Sequence, residues 1–110
     1  MTITYLDPTV LASLRDIMGD DYRLLVETYL KDSTQRVAQL HHGAAPHTLR
    51  ETAHSLKGSS SNMGATQLAS WCGQLEHLPL DASPEQVQAL VRAITEAFSQ
   101  VAQAFSTHLQ

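Results

Sequence analysis

The stretch SPEQVQALVRAITEAFSQVAQAF, residues 83–105, decides the fold class. Ser83, Pro84 and Gln86 form a helix-opening signature. A hydroxyl caps the first free N–H groups, proline takes the first helical position, where its missing N–H is harmless, and a glutamine at N3 completes a capping box. Behind it, Val87, Leu90, Val91, Ile94, Ala97, Phe98, Val101, Ala104 and Phe105 recur at the three- and four-residue steps of one helix face. The spacing predicts a helix of more than about 20 residues, or roughly 30 Å.

Working upstream, each break in the chain carries a helix-start or helix-stop signal. Asp7-Pro8 reads as N-cap and N1 of a short helix over Val10, Leu11, Leu14 and Ile17 that stops at Gly19. Asp20 or Asp21 can cap a second helix, about residues 20–42, with Tyr22, Val26, Tyr29, Ser33, Val37 and Leu40 along one side and Gly43 as its stop. Leu24 falls off that stripe and lies either under the first helix or exposed as a docking residue. A third helix runs from Pro46 to about Asn62 before Gly64, and a fourth from Ala65 to Leu78, with Leu68, Trp71, Cys72, Leu75 and Leu78 at helical spacing and Pro79 closing it. No strand pattern, repeat or linker interrupts this series. Short connections favour antiparallel neighbours, so the expected fold is all-α: an up-down four-helix bundle with the short first helix packed on one end, one domain over residues 1–110. Small residues such as Ala53, Ser60, Ala69, Ala97 and Ala104 allow close helix approach.

Composition narrows the function classes. The 110 residues are 43% hydrophobic, 5% aromatic and 16% charged, with only 4 Pro and 5 Gly, too few turn residues for many short strands. Seven Lys+Arg against eleven Asp+Glu give a net charge of −4, which argues against nucleic acid as a partner. The single cysteine, Cys72, cannot form an internal disulfide. No apolar run approaches the roughly 20 residues that cross a bilayer, and the opening MTITYLDPT lacks the basic and apolar regions of a secretory leader. A cytoplasmic location without membrane association is the expectation. A domain this small has little room for an enclosed substrate pocket, so surface chemistry or docking is expected instead.

The third helix holds the unusual information. At about 100° per residue with Leu49 at zero, Ala53, Leu56, Ser60 and Met63 fall within about 40° and define the buried stripe. His54 falls at about +140°, Gly58 near 180°, Ser61 at about +120° and Lys57 at about +80°, so His54 points to solvent. Gly58 costs a helix interior roughly 1 kcal/mol relative to Ala. One turn after His54 on the same face, its missing side chain clears space beside the imidazole for another molecule. Lys57 can put an ammonium near anything negative that the imidazole receives. Ser59 lies on the other side, where it can cap carbonyls. Imidazole with the ordinary pKa of about 6.5 is mostly neutral, hence nucleophilic, at pH 7. An exposed neutral histidine with a nearby cation and a cleared approach suits reversible capture of a phosphoryl group as a phosphoramidate.

At residues 53–65, AHSLKGSSSNMGA resembles the signature of histidine-containing phosphotransfer (HPt) domains, the helical carriers of multistep two-component phosphorelays. Histidine is followed by Lys at +3, Gly at +4, small residues at +5 and +6 and an apolar-Gly pair at +9 and +10. DPTVLASLRDIMGDD, LVETYLKDSTQRVAQL and SWCGQLE are similar to the family's flanking helices, so the resemblance covers essentially the whole chain. It implies His54 as phosphoacceptor, Lys57 as charge partner of the phosphoryl group and Gly58 as the point of close approach for a receiver domain. The family also places a polar side chain 22 residues after the histidine, here Glu76, to bond Nδ1. Many members have Gln there and chemotaxis-type kinases have Glu. A carboxylate would hold the Nδ1–H tautomer and make Nε2 the better nucleophile; the alternative for Glu76 is a solvated helix charge.

The resemblance implies a carrier without kinase activity of its own, since no Gly-rich loop or nucleotide box is present. It would take a phosphoryl group from the receiver domain of a hybrid sensor kinase and pass it to a response-regulator receiver. No cofactor is expected on this chain, with Mg²⁺ on the receiver. A monomeric, separate relay protein is expected, with Leu24, His47, Arg50 and Ser61 as docking candidates. Two other classes compete. A helical interaction module would leave His54 unused. A metal site could use His47, Glu51 and His54, because Glu-x-x-His pairs bind metals in bundles, but no second such pair occurs and this one faces away from the apolar stripe. A hydrolase is disfavoured, since His54 has no nearby nucleophile. His41-His42 reads as a C-terminal dipole feature of the second helix.

Overall fold

The chain is described by a computed structural model that places residues 5–43 and 45–109. The start of the MTITYLDPT stretch therefore lies outside the described residues. Five α-helices follow in order: α1 Pro8–Met18, α2 Tyr22–Leu40, α3 Pro46–Asn62, α4 Thr66–Glu76 and α5 Pro84–His108. The described residues contain no strand, and no helix among them is long and apolar enough to cross a membrane.

The helix ends form where the local chemistry asks for them. Asp7 Oδ1 accepts from the Thr9 N–H at 2.9 Å, opening α1 ahead of Pro8. Ser83 and Gln86 exchange both bonds of the capping box, which starts the 25-residue α5, about 37 Å long. Gly19, Gly43 and Gly64 all adopt positive φ after a helix. Gly64 has a second reason to be glycine: a Cβ there would lie 3.2 Å from Val10 Cβ and 3.3 Å from Asp7 O. The N-terminal segment crosses at this point, and the Asp7 N–H donates to Gly64 O at 2.8 Å.

Packing follows the apolar stripes. On α2, Tyr22, Val26, Tyr29, Ser33, Val37 and Leu40 are all buried. On α5 the buried set is Val91, Ile94, Ala97, Phe98, Val101 and Phe105. α2 packs on α3 and α5, and α4 packs on α3 and α5, closing a four-helix ring with α1 against α2. The bundle is antiparallel: Tyr22 at the start of α2 bonds His108 at the end of α5, at 2.8 Å. His41, just past α2, reaches Thr95 of α5, also at 2.8 Å. Inside, the Tyr29 hydroxyl and Ser60 Oγ satisfy each other at 2.8 Å, which lets a polar residue of α3 sit in the core.

Three sequence expectations shift, and the alternative left open for Leu24 is decided. Ile17 is 78% exposed, because it lies about 120° around α1 from Leu11 and Met18 takes its place against the core. Leu24 is 62% exposed and so is not covered by α1. α2 begins at Tyr22, after a 3₁₀ turn over Gly19–Asp21, and Asp21 makes no side-chain cap. α4 ends at Glu76, not Leu78, since the residue before Pro79 is driven out of the α region.

Phe105 has no exposed surface, so Phe105→Ala should lower unfolding free energy by about 3–5 kcal/mol. Leu24→Ala should change it by less than about 0.5 kcal/mol. Urea titration of the two variants checks the contrast.

Candidate functional site

α3 and α4 are joined by the tight turn at Met63–Ala65, where Ala65 N–H donates back to Ser60 O at 2.9 Å. The two helices therefore run side by side, and the end of α4 returns to the middle and start of α3. This brings Glu76 to His54 across 22 residues of sequence.

His54 stands on the outer face of α3 with its side chain 67% exposed. Its Nδ1 lies 2.6 Å from Glu76 Oε2. The other carboxylate oxygen, Oε1, lies 2.5 Å from Lys57 Nζ. One carboxylate thus serves both groups, and it is only 18% exposed, in contrast to a freely solvated helix charge. Oε1 is shielded from solvent and lies against the Lys57 ammonium. The Lys57 ammonium, followed by the hydrogen bond to His54, holds the Glu76 carboxyl below the usual carboxylate range against the opposing effect of burial. Glu76 is therefore ionised at neutral pH and can only accept, so the shared proton resides on Nδ1 of His54. In the neutral ring the lone pair is then on Nε2, which makes no hydrogen bond among the described residues.

The approach to Nε2 is open. Gly58 is exposed, and an added Cβ would meet nothing within 4 Å. Glycine is therefore not required there by packing within the chain. Ser61 is exposed on the same side, whereas Ser59 Oγ donates to the Ser55 and Leu56 carbonyls, at 3.2 and 3.3 Å. An open groove beside the imidazole is lined by His47, Arg50, Glu51, His54, Ser55 and Glu76.

His47 pairs with Glu51 on its own helix at 2.8 Å, both well exposed. Among the described residues no three His, Cys, Asp or Glu side chains are grouped closely enough to hold a metal ion. Arg50 is half-buried and donates from Nε to Glu76 O at 2.8 Å, an internal contact that spacing alone did not reveal. Gly73 is a second residue without a sequence signal: its absent Cβ would sit 3.5 Å from Lys57 Cδ, so the lysine stem runs across α4 at that glycine. Cys72 is fully buried, and burial pushes its thiol up to about 12, which leaves it unreactive.

The family model described as Hpt domain matches residues 24–104. The crystal structure of histidine-containing phosphotransfer protein B (HptB) from Pseudomonas aeruginosa PAO1 is similar over 97% of this chain and 96% of that one, with a TM-score of 0.89 and 37% identity. No curated protein gives a significant match.

The lowered carboxyl pKa has a consequence for stability. A carboxylate held below its reference value of 4.5 stabilises the fold above that pH, and the contribution disappears as pH falls through the lower folded value. The urea midpoint should therefore drop less for Glu76→Gln than for the parent between pH 7 and pH values well below 4.5. Equal drops would remove the carboxylate from the balance.

Proposed function

Because the chain belongs to the Hpt domain family, the histidine phosphotransfer modules of two-component signalling, we propose that His54 is the phosphoacceptor of a phosphorelay carrier. It takes a phosphoryl group from the aspartyl phosphate of a hybrid-kinase receiver domain and delivers it to the aspartate of a response regulator. The observation that carries this reading is the Glu76 Oε2 contact, 2.6 Å from Nδ1, which leaves an outward Nε2 on an open face.

In the proposed step, the Nε2 lone pair attacks phosphorus as the P–O bond to the aspartyl carboxylate breaks, and that carboxylate leaves. An N–P bond replaces the P–O bond, the Nδ1 proton stays in place, and the imidazolium formed is stabilised by the Glu76 carboxylate. Delivery to the second receiver is the same exchange in reverse. Lys57 is within reach of the incoming phosphoryl oxygens and can neutralise part of their charge. Gly58 leaves room for the receiver to approach.

Each partner contributes what the other lacks. This chain offers a positioned nucleophile, while the aspartate and Mg²⁺ belong to the receiver, and no autonomous kinase activity is required. The carrier works in the cytoplasm as a monomer, with Leu24, His47 and Ser61 among the exposed residues available for docking.

Incubation with a phosphorylated receiver should place acid-labile label on the parent and none on His54→Gln. Label on His54→Gln would exclude His54 as the acceptor, and a parent that takes no label would favour a bundle that only binds partners. Gly58→Gln should fold with stability within about 1 kcal/mol of the parent yet accept label at least several-fold more slowly, as timed by quenched-flow sampling. Unchanged uptake would remove Gly58 from the mechanism.

A further inference from the structure

Glu76 is the last residue of α4, where a helix leaves its final carbonyls without intrahelical donors and tends to fray. A carboxylate that must meet Nδ1 at 2.6 Å occupies a poor place for precision unless something holds that turn. Neighbouring carbonyls are satisfied locally: the His77 N–H and Nδ1 both donate to Gly73 O, at 3.1 and 2.8 Å, and the Leu78 N–H donates to Leu75 O at 3.3 Å. The Glu76 carbonyl itself receives Arg50 Nε at 2.8 Å.

Arg50 sits one turn before His54 on α3, so the donor comes from the helix that carries the imidazole. The guanidinium also places positive charge at the negative end of the α4 dipole. Among the described residues Arg50 forms no ion pair with a carboxylate, and both Glu76 oxygens remain with His54 and Lys57. We propose that Arg50 is a positioning residue: by holding the Glu76 carbonyl it fixes the last turn of α4 against α3 and so sets the Glu76–His54 register. This inference rests on the phosphoacceptor reading for its effect on transfer, but not for its effect on the imidazole.

The test reads both. Nitrogen-15 spectra of the His54 ring should show the Nδ1–H tautomer in the parent and a shift toward a tautomer mixture in Arg50→Ala, with label uptake from a phosphorylated receiver slowed about tenfold. Arg50→Lys, whose ammonium can reach the same carbonyl, should restore most of both and guards against a loss of fold. In a Glu76→Ala background, Arg50→Ala should change neither. A parental ring spectrum in Arg50→Ala would overturn the proposal. So would a slowing that persists undiminished in the Glu76→Ala background, which would instead place Arg50 on the partner-facing surface. If the parent itself takes no label, the transfer reading fails while the ring spectra still decide the role of Arg50.

Discussion

A single carboxylate, Glu76, is held between the imidazole of His54 and the ammonium of Lys57, and the chemistry of this surface depends on it. An ionised carboxylate at Nδ1 fixes where the ring proton sits and, in the neutral ring, leaves the lone pair on Nε2. The same carboxylate anchors the Lys57 ammonium through its other oxygen. Three residues on two helices form one unit, and the unit exists only while α3 and α4 keep their register. The tight turn at Met63–Ala65 and the N-terminal segment crossing at Gly64 serve that register, and the Tyr29–Ser60 pair ties α3 to α2 in the core.

The fold reconciles two opposed demands. A carrier must present its nucleophile to large partners, yet an exposed side chain ordinarily samples many rotamers. Here the imidazole is exposed while its orienting partner is mostly covered, so rigidity is supplied from beneath and access is left above. Gly58 leaves the outer face bare, while the Lys57 stem lies across α4 beside Gly73. Neither arrangement needs a cavity, which suits a bundle of this size.

Much of this was legible in the sequence because its signals are local. The Ser83 capping box, the Asp7-Pro8 start and the six-residue stripe of α2 are set by neighbours within one or two turns, and the structure reproduces them. The face of His54, Lys57 and Gly58 was equally readable, since one helix wheel contains all three. What escaped depends on contacts between distant segments. Ile17 is apolar but uncovered because the bundle offers it no opposing face, and the same absence decides between the two placements open for Leu24. Leu78 is the exception, lost from the helix to the adjacent Pro79, a local rule that its apolar spacing masked. Arg50 stood only as a docking candidate, because nothing in a single sequence reveals that its Nε meets a carbonyl 26 residues away.

The most direct test of the central claim is the site of phosphorylation within the ring. Nitrogen-15 and phosphorus-31 spectra of the protein, recorded after transfer from a phosphorylated receiver, should show phosphorus bonded to Nε2 of His54, with the proton retained on Nδ1. The chain holds six histidines, so the spectra also discriminate among residues. Phosphorus on Nδ1, or on any histidine other than His54, would contradict the account.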